Sequence, residues 1–377
     1  MKKIQAKFPD FSMLVVVPTT ALKDQWLKLL VEWDLPFVQV EVINSVVNKT
    51  WDIDMLILDE EHRYASALFR KVFECVHYKL ILGLTGTFER LDGRHKIIQK
   101  YCPIVEQVTV QEALLNGWVS AYKEYEVLLD VDNIDEYKEY NKNFIKHFEF
   151  FNFSFETAMS MLGKNGFENR KEYTNRMCKD PAKWNDYFKS VNLHAMSFMR
   201  AMAAKKNFIN NHSKKIEIAR LIIENRPFSK IITFSNNTKM AEAIGMGGYV
   251  YTGKTSKKKG RMSLEEFAKQ ETGLLHSCSK LNEGLDCPGL STAIILGMDS
   301  SESKSRQRLG RVIRAEEGKN AEIFNLVING TQELKWFESS HKDRPYIVID
   351  EENLLKVLRN EPFETYRKPV SKFNYRF

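Results

Sequence analysis

The chain has 377 residues, enough for two ordinary domains or for two domains with a sizeable insertion. Hydrophobic residues make up 43% and charged residues 28%, the balance of a globular protein that folds in water and not of a membrane, fibrous or disordered one. A formal net charge of +7 admits a polyphosphate partner without requiring one. The five cysteines are scattered with no C-x-x-C pair, which argues against a disulfide framework or a zinc site and fits a reducing cytoplasm.

The N-terminus has a basic start and a short apolar run, but Met13–Val17 is too short for a signal peptide and Pro18 ends it. It reads instead as a strand buried on both faces of a parallel sheet. Thr20–Trp33 follows with Leu22, Trp26, Leu29, Leu30 and Trp33 at helical spacing. Phe37–Ile43, Met55–Leu58 and Lys79–Leu84 predict further strands, with a helix over Ser66–Cys75. This alternation predicts an α/β fold with an open parallel sheet over residues 1–120.

Residues 121–206 are rich in Tyr, Phe, Asn and Lys and carry little strand signal, so a helical insertion or linker is expected there. Phe144–Leu162 and Trp184–Lys206 are its expected helices. Its aromatics, Phe148, Phe150, Phe151, Phe153 and Phe155 among them, offer stacking faces for bases, but packing of a helical core is the better expectation. Strand–helix alternation resumes over 207–335, with strands at Lys230–Phe234, Gly248–Tyr251, Gly273–His276, Ser291–Leu296 and Ala321–Leu326. A mixed tail, 336–377, contains one helix at Glu351–Arg359. No segment has the apolar length of a membrane span.

Three motifs carry chemistry. Leu56-Ile57-Leu58-Asp59-Glu60-Glu61-His62 ends an apolar strand in acids, where parallel sheets place ligands. Asp59 there suits Mg²⁺, Glu60 suits polarising a water, and His62 suits coupling to a neighbouring domain. Asp and Glu also favour helix N-termini, so a solvated helix start explains the same residues. In Ser305-Arg306-Gln307-Arg308-Leu309-Gly310-Arg311-Val312-Ile313-Arg314, Arg311 and Arg314 are three apart and on a helix share a face, as a phosphate clamp requires. Gly310 argues against an idle basic helix, since glycine costs about 1 kcal/mol in a helix interior. In Leu281-Asn282-Glu283-Gly284-Leu285-Asp286-Cys287-Pro288, Gly284 permits close backbone approach and Asp286 suits a ribose hydroxyl, although taken alone the segment reads better as a plain turn before a strand.

The order of the three, D-E-x-H, E-G-x-D-x-P and Q-x-x-G-R-x-x-R across two α/β units, resembles superfamily 2 helicases, more narrowly the DEAD/DEAH-box helicases of bacteriophages and the XPB/UvsW-like group. The similarity runs from Met13 to Ser340. Val17-Pro18-Thr19-Thr20 is similar to motif Ia, where Pro18 and Thr19 sit near the nucleic-acid backbone, and Asn44 falls in the next strand-binding motif. Leu84-Thr85-Gly86-Thr87 is similar to motif III, with Phe88 in place of the usual proline; the resemblance places Thr85 and Thr87 beside the nucleotide. Ser235 falls in motif IV, and Ser277 and Ser279 flank Cys278, which replaces the family's phosphate-contacting threonine.

The resemblance implies two RecA-like domains that bind ATP and Mg²⁺ between them and move along single-stranded or branched nucleic acid, DNA by preference. It assigns Asp59, Glu60, His62, Gln307, Arg311 and Arg314 to hydrolysis, with Gly284 and Asp286 at the nucleotide. The family's G-x-x-x-x-G-K-[ST] loop should precede motif Ia, but only twelve residues precede Met13 and none is glycine. The first domain is therefore expected to be incomplete at its N-terminus, with the loop supplied by a separate polypeptide or lost by truncation. Gly248-Tyr249-Val250-Tyr251-Thr252-Gly253-Lys254-Thr255 matches the pattern but lies in the second unit and is not expected to precede a packed helix. Lys254 and Lys257–Lys259 are expected instead to touch nucleic-acid phosphates. A degenerate, non-hydrolysing binding module is the alternative expectation.

Overall fold

The structure is a computed structural model that describes residues 1–86, 93–253, 255–278, 287–298, 302–342 and 344–365. Met13–Val17 (β1) is buried along its whole length, as a five-residue apolar run is when both faces of a parallel strand are covered. Thr20–Glu32 (α1) follows, and the Thr19 hydroxyl caps it by accepting from the Leu22 amide at 3.3 Å. Val38–Val42 (β2), Met55–Asp59 (β3) and Leu80–Leu84 (β4) complete a parallel sheet in the order β2-β1-β3-β4. Leu14, Val16, Leu56 and Leu58 fill one face, and Val15, Val17 and Ile57 meet Leu30 of α1 on the other. The helix expected over Ser66–Cys75 is replaced by a 3₁₀ turn at Phe69–Lys71 and a short helix at Val72–Cys75, preceded by another 3₁₀ turn at Glu61–Ala65.

β4 is an edge strand, and its Leu80 is 51% exposed. Its neighbour in the sheet, β3, pairs with it in register from Met55↔Leu80 to Asp59↔Leu84. The carboxyl ends of β3 and β4 therefore lie side by side, which brings Asp59 next to the Thr85–Gly86 turn.

The second sheet has seven strands: Ala121–Leu129 (β5), Lys230–Ser235 (β6), Tyr249–Tyr251 (β7), Gly273–Cys278 (β8), Leu290–Ile295 (β9), Asn320–Ile328 (β10) and Ile347–Ile349 (β11). They run in the order β11-β5-β10-β9-β6-β8-β7, and each ladder is parallel. The expected segment boundaries need two corrections. Residues 121–129 are not helical; β5 pairs with β10 along nine positions. The tail is likewise not separate from the sheet, because β11 ladders on β5. The missed strand carries Glu124 and Glu126, which interrupt its apolar run, yet both are buried.

The helical segment rises between β5 and the next helix of the second unit. Ile134–Glu149 (α2) and the 28-residue Trp184–Asn211 (α3) form its frame, and Ser213–Glu224 (α4) returns the chain to the sheet. Phe148 and Phe151 are buried with Val191, Ala195 and Phe198 in a separate small core, while Phe155 is 55% exposed. The expected long helix through Leu162 stops at Glu149, and Asn152 and Phe153 turn the chain with φ of 50° and 56° before a short helix at Phe155–Ser160.

Glu302–Val312 (α5) and Glu333–Ser340 (α6) lie on the second unit and are held by buried charge. Lys215 of α4 donates to Glu333 of α6 at 2.5 Å, and both side chains are fully buried. Glu124 of β5 accepts from Arg344 Nε at 2.7 Å and lies 3.0 Å from His341 Nε2. Arg344 in turn donates to Ser305 of α5 at 2.7 Å. Among the described residues no helix is long and apolar enough to cross a membrane.

Candidate functional site

Asp59 closes β3, half-buried at the carboxyl edge of the first sheet. Its Oδ2 accepts from the Trp26 indole at 2.9 Å, and Oδ1 accepts from the Glu60 amide at 3.1 Å. Burial pushes its carboxyl above the ordinary value, and these two bonds oppose that push. Glu60 takes a left-handed conformation, φ 51° and ψ 50°, which turns the chain sharply out of the strand. Its Oε2 lies 3.3 Å from His62 Nδ1, and that nitrogen is 2.9 Å from Thr85 Oγ1 at the end of β4. Four of the expected residues, Asp59, Glu60, His62 and Thr85, thus form one continuous polar edge.

Two flanking contributions were not visible in the sequence. Trp26 reads there as part of the apolar stripe of α1, but its N–H orients Asp59. Glu61 reads as a third acid of the motif, but it is buried against Gly83 and Cys102. A Cβ at Gly83 would sit 1.4 Å from Glu61 Oε2, so the glycine in the middle of β4 is what admits that carboxyl. Burial raises the Glu61 carboxyl as well.

The arginine motif lies on α5 of the second unit. Arg306 Nη1 donates to the Gly86 carbonyl at 3.3 Å, which links α5 to the turn beside Thr85. The sequence reading assigned no role to Arg306. Gln307 and Arg311 lie on α5 and are partly exposed. Arg314 does not share a helical face with Arg311 as expected, because α5 ends at Val312; Arg314 is in an isolated bridge to Val119, and its carbonyl accepts from Ser120 Oγ at 2.7 Å. Gly310 is exposed and a Cβ there would meet nothing within 4 Å, so packing inside the chain does not call for glycine. Arg308 is buried and fixes the helix by donating to the Gly297 carbonyl at 2.9 Å.

The expected nucleic-acid contacts divide. Pro18 is buried, Thr19 is occupied in capping α1, and Asn44 is exposed. Ser235 and Ser277 are not surface hydroxyls: both are buried, and Ser235 Oγ donates to the Asn237 and Ser277 carbonyls at 3.0 and 3.2 Å. Thr87, Lys254, Ser279, Gly284 and Asp286 lie outside the described residues.

In the P-loop look-alike, Tyr249–Tyr251 is a strand laddered against Leu275–Ser277. Three of the four residues between Gly248 and Gly253 are therefore extended and cannot wrap a phosphate. One expectation about it is corrected: a packed helix, Lys257–Lys269, does follow, with Phe267 fully buried.

Comparison with known proteins adds the following. Residues 213–316 match the family described as "Helicase conserved C-terminal domain", and residues 42–90 match "Type III restriction enzyme, res subunit". The chain is 27% identical over 344 residues to a protein named "DNA 3'-5' translocase XPB2" from Sulfurisphaera tokodaii, covering 85% of this chain and 73% of that one. It is 31% identical over 157 residues to the "General transcription and DNA repair factor IIH helicase/translocase subunit XPB" of Schizosaccharomyces pombe, covering 39% of this chain and 19% of that protein. The chain thus spans most of the archaeal relative and a small part of the yeast one. Among solved structures, S. cerevisiae Dbp5 bound to RNA and ADP BeF3 aligns at a TM-score of 0.55 and 11% identity, covering 93% of this chain and 80% of that one, a likeness of fold.

Proposed function

Because the chain is a homologue of the superfamily 2 helicases, with XPB-type translocases among its relatives, we propose that it is the motor core of an ATP-driven translocase or helicase on nucleic acid, DNA by preference. The observation that carries the reading is the polar edge Asp59–Glu60–His62–Thr85, reached by Arg306 of the second unit through Gly86. In this reading Asp59 holds Mg²⁺ through water or directly, since Mg²⁺ in nucleotide sites is bound by one or two carboxylates plus phosphate and water. The ion supplies charge neutralisation at the transferring phosphate when bound. Trp26 fixes the Asp59 rotamer, Glu60 orients the attacking water, and Arg311 offers a guanidinium to developing phosphoryl charge. His62, shared between Glu60 and Thr85, couples the state of the acid to the turn that Arg306 touches.

No glycine-rich phosphate loop lies ahead of β1 in these 377 residues. Hydrolysis by such a motor needs a phosphate-gripping loop, from the same polypeptide or another. The edge position of β4, next to the acids, is where a further parallel strand would pair. The alternative reading is a binding module that grips nucleic acid without turnover. Measuring ATP hydrolysis and single-stranded DNA binding on the protein purified with its natural partners separates the two. DNA-stimulated hydrolysis that falls at least about 100-fold in Glu60→Gln supports the motor; tight DNA binding with no hydrolysis supports the binding module.

A further inference from the structure

Three lysines are buried among the described residues, and two of them have two hydrogen-bond acceptors each. Lys215 has the Glu333 carboxylate and the Leu296 carbonyl, at 2.5 and 2.8 Å. Lys230 donates to the carbonyls of Ala268 and Pro288 at 2.9 and 2.8 Å. Lys205 of α3, only 6% exposed, donates to Asn141 Oδ1 at 2.6 Å, and its Nζ lies 4.3 Å from the Phe144 ring centroid. No described carboxylate pairs with it. Burial, with the like charge of Lys335, brings its pKa down to about 8. An ammonium has three protons to donate, and burying one without an anion is expensive.

Lys205 also lines an open groove of about 420 Å³ between the helical segment and the second unit. Phe155 and Trp336 add ring faces, and Lys206 adds a second, exposed cation. Asn236 and Met298 form the far wall, on the loops that follow β6 and β9 at the carboxyl edge of the sheet, where parallel sheets bind ligands. The wall is rigidly tied to α3: Asn236 Nδ2 donates to Asn210 Oδ1 at 2.9 Å, and Asn237 Nδ2 donates to Asn210 O and Asn211 Oδ1 at 3.1 and 2.8 Å.

We propose that this groove holds one nucleotide unit of a bound single strand, its phosphate on Lys205 and Lys206 and its base against Phe155. The inference rests on the reading of the chain as a nucleic-acid motor but uses residues outside the hydrolysis site. Phosphate supplies the missing counter-charge, and a base supplies the flat partner for an exposed ring. An acidic peptide would satisfy the lysines but not the rings.

The test is equilibrium binding of a dye-labelled oligo-dT and oligo-U to the whole chain across a salt series, with thermal unfolding of each variant alongside. Lys205→Met is expected to weaken binding about tenfold and to reduce the slope of log K against log salt by about 0.7, one phosphate on a single strand. Phe155→Ala is expected to weaken it about tenfold with the slope unchanged. A merely structural Lys205 would lower the unfolding temperature and leave the slope alone, which overturns the proposal. Should Lys205→Met fail to fold, the exposed positions decide through Lys206→Met and Phe155→Ala; wild-type affinity in both overturns it. That failure would leave the Glu60→Gln result on hydrolysis untouched, whereas a wild-type chain that binds no oligonucleotide contradicts both readings. Displacement of the oligonucleotide by poly-glutamate as readily as by unlabelled oligo-dT assigns the groove to an acidic peptide instead.

Discussion

The two sheets handle charge in opposite ways. In the second unit, charge is driven inside: Lys215–Glu333 and Glu124–Arg344 are buried pairs that tie helices and tail to the sheet. In the first unit, the described ion pairs are all partly exposed, and the acids stand at the carboxyl edge of β3. The second unit is thus built as a fixed frame for α5 and for the helical segment. The first buries Glu61 but presents Asp59, Glu60 and His62 where a ligand would meet them, beside an edge strand with one side open. Under the proposed function the two roles are complementary: one unit positions arginines, the other presents acids and a hydroxyl.

The sharpest way to break the contrast is to remove one partner of the second unit's buried pair. Glu333→Ala leaves Lys215 buried with a single carbonyl acceptor and should cost about 3–5 kcal/mol. Urea unfolding reads this directly, and a loss below about 1 kcal/mol would show that the pair does not lock α4 to α6. Next in size is a tight interior contact of the first unit. Gly83→Ala drives a Cβ into the Glu61 carboxyl and toward Cys102 Sγ at 2.9 Å, with an expected cost of about 1–3 kcal/mol. Combining it with Glu61→Ala should recover much of that; no recovery would place the clash elsewhere.

The smallest effect is a slope. Burial alone would raise the Glu124 carboxyl, but Arg344 and His341 outweigh it and hold it at about 2, below its ordinary 4.5. The folded value is depressed, so the stability it contributes is present above pH 4.5 and is lost as pH falls toward 2. Over that window Glu124→Gln should show a stability–pH slope shallower by up to about one proton. Parallel slopes in the two proteins would mean that the network does not hold Glu124 ionised.

What the sequence revealed, and what it hid, follows the same division of charge. β1 and β3 were legible because their runs are wholly apolar, and the acid cluster because it ends such a run. β5 was hidden because Glu124 and Glu126 look like surface residues and are buried. The helical partnership of Arg311 and Arg314 was misjudged because spacing does not reveal that α5 stops at Val312. Ser235 and Ser277 fit a motif, but their burial depends on strands brought together from 42 residues apart. The bond from Trp26 to Asp59 and the groove around Lys205 join segments distant in sequence, and no local pattern announces them.

In the proposed function, the edge built from Asp59, Glu60, His62 and Thr85 is the hydrolysis side of a nucleic-acid motor. Single-stranded-DNA-stimulated ATP hydrolysis, compared between the wild-type protein and Glu60→Gln in the same natural context, tests it most directly. Stimulated turnover is expected in the first, a loss of at least about 100-fold in the second, and unchanged DNA affinity in both. Hydrolysis that survives Glu60→Gln would overturn the proposed role of this edge.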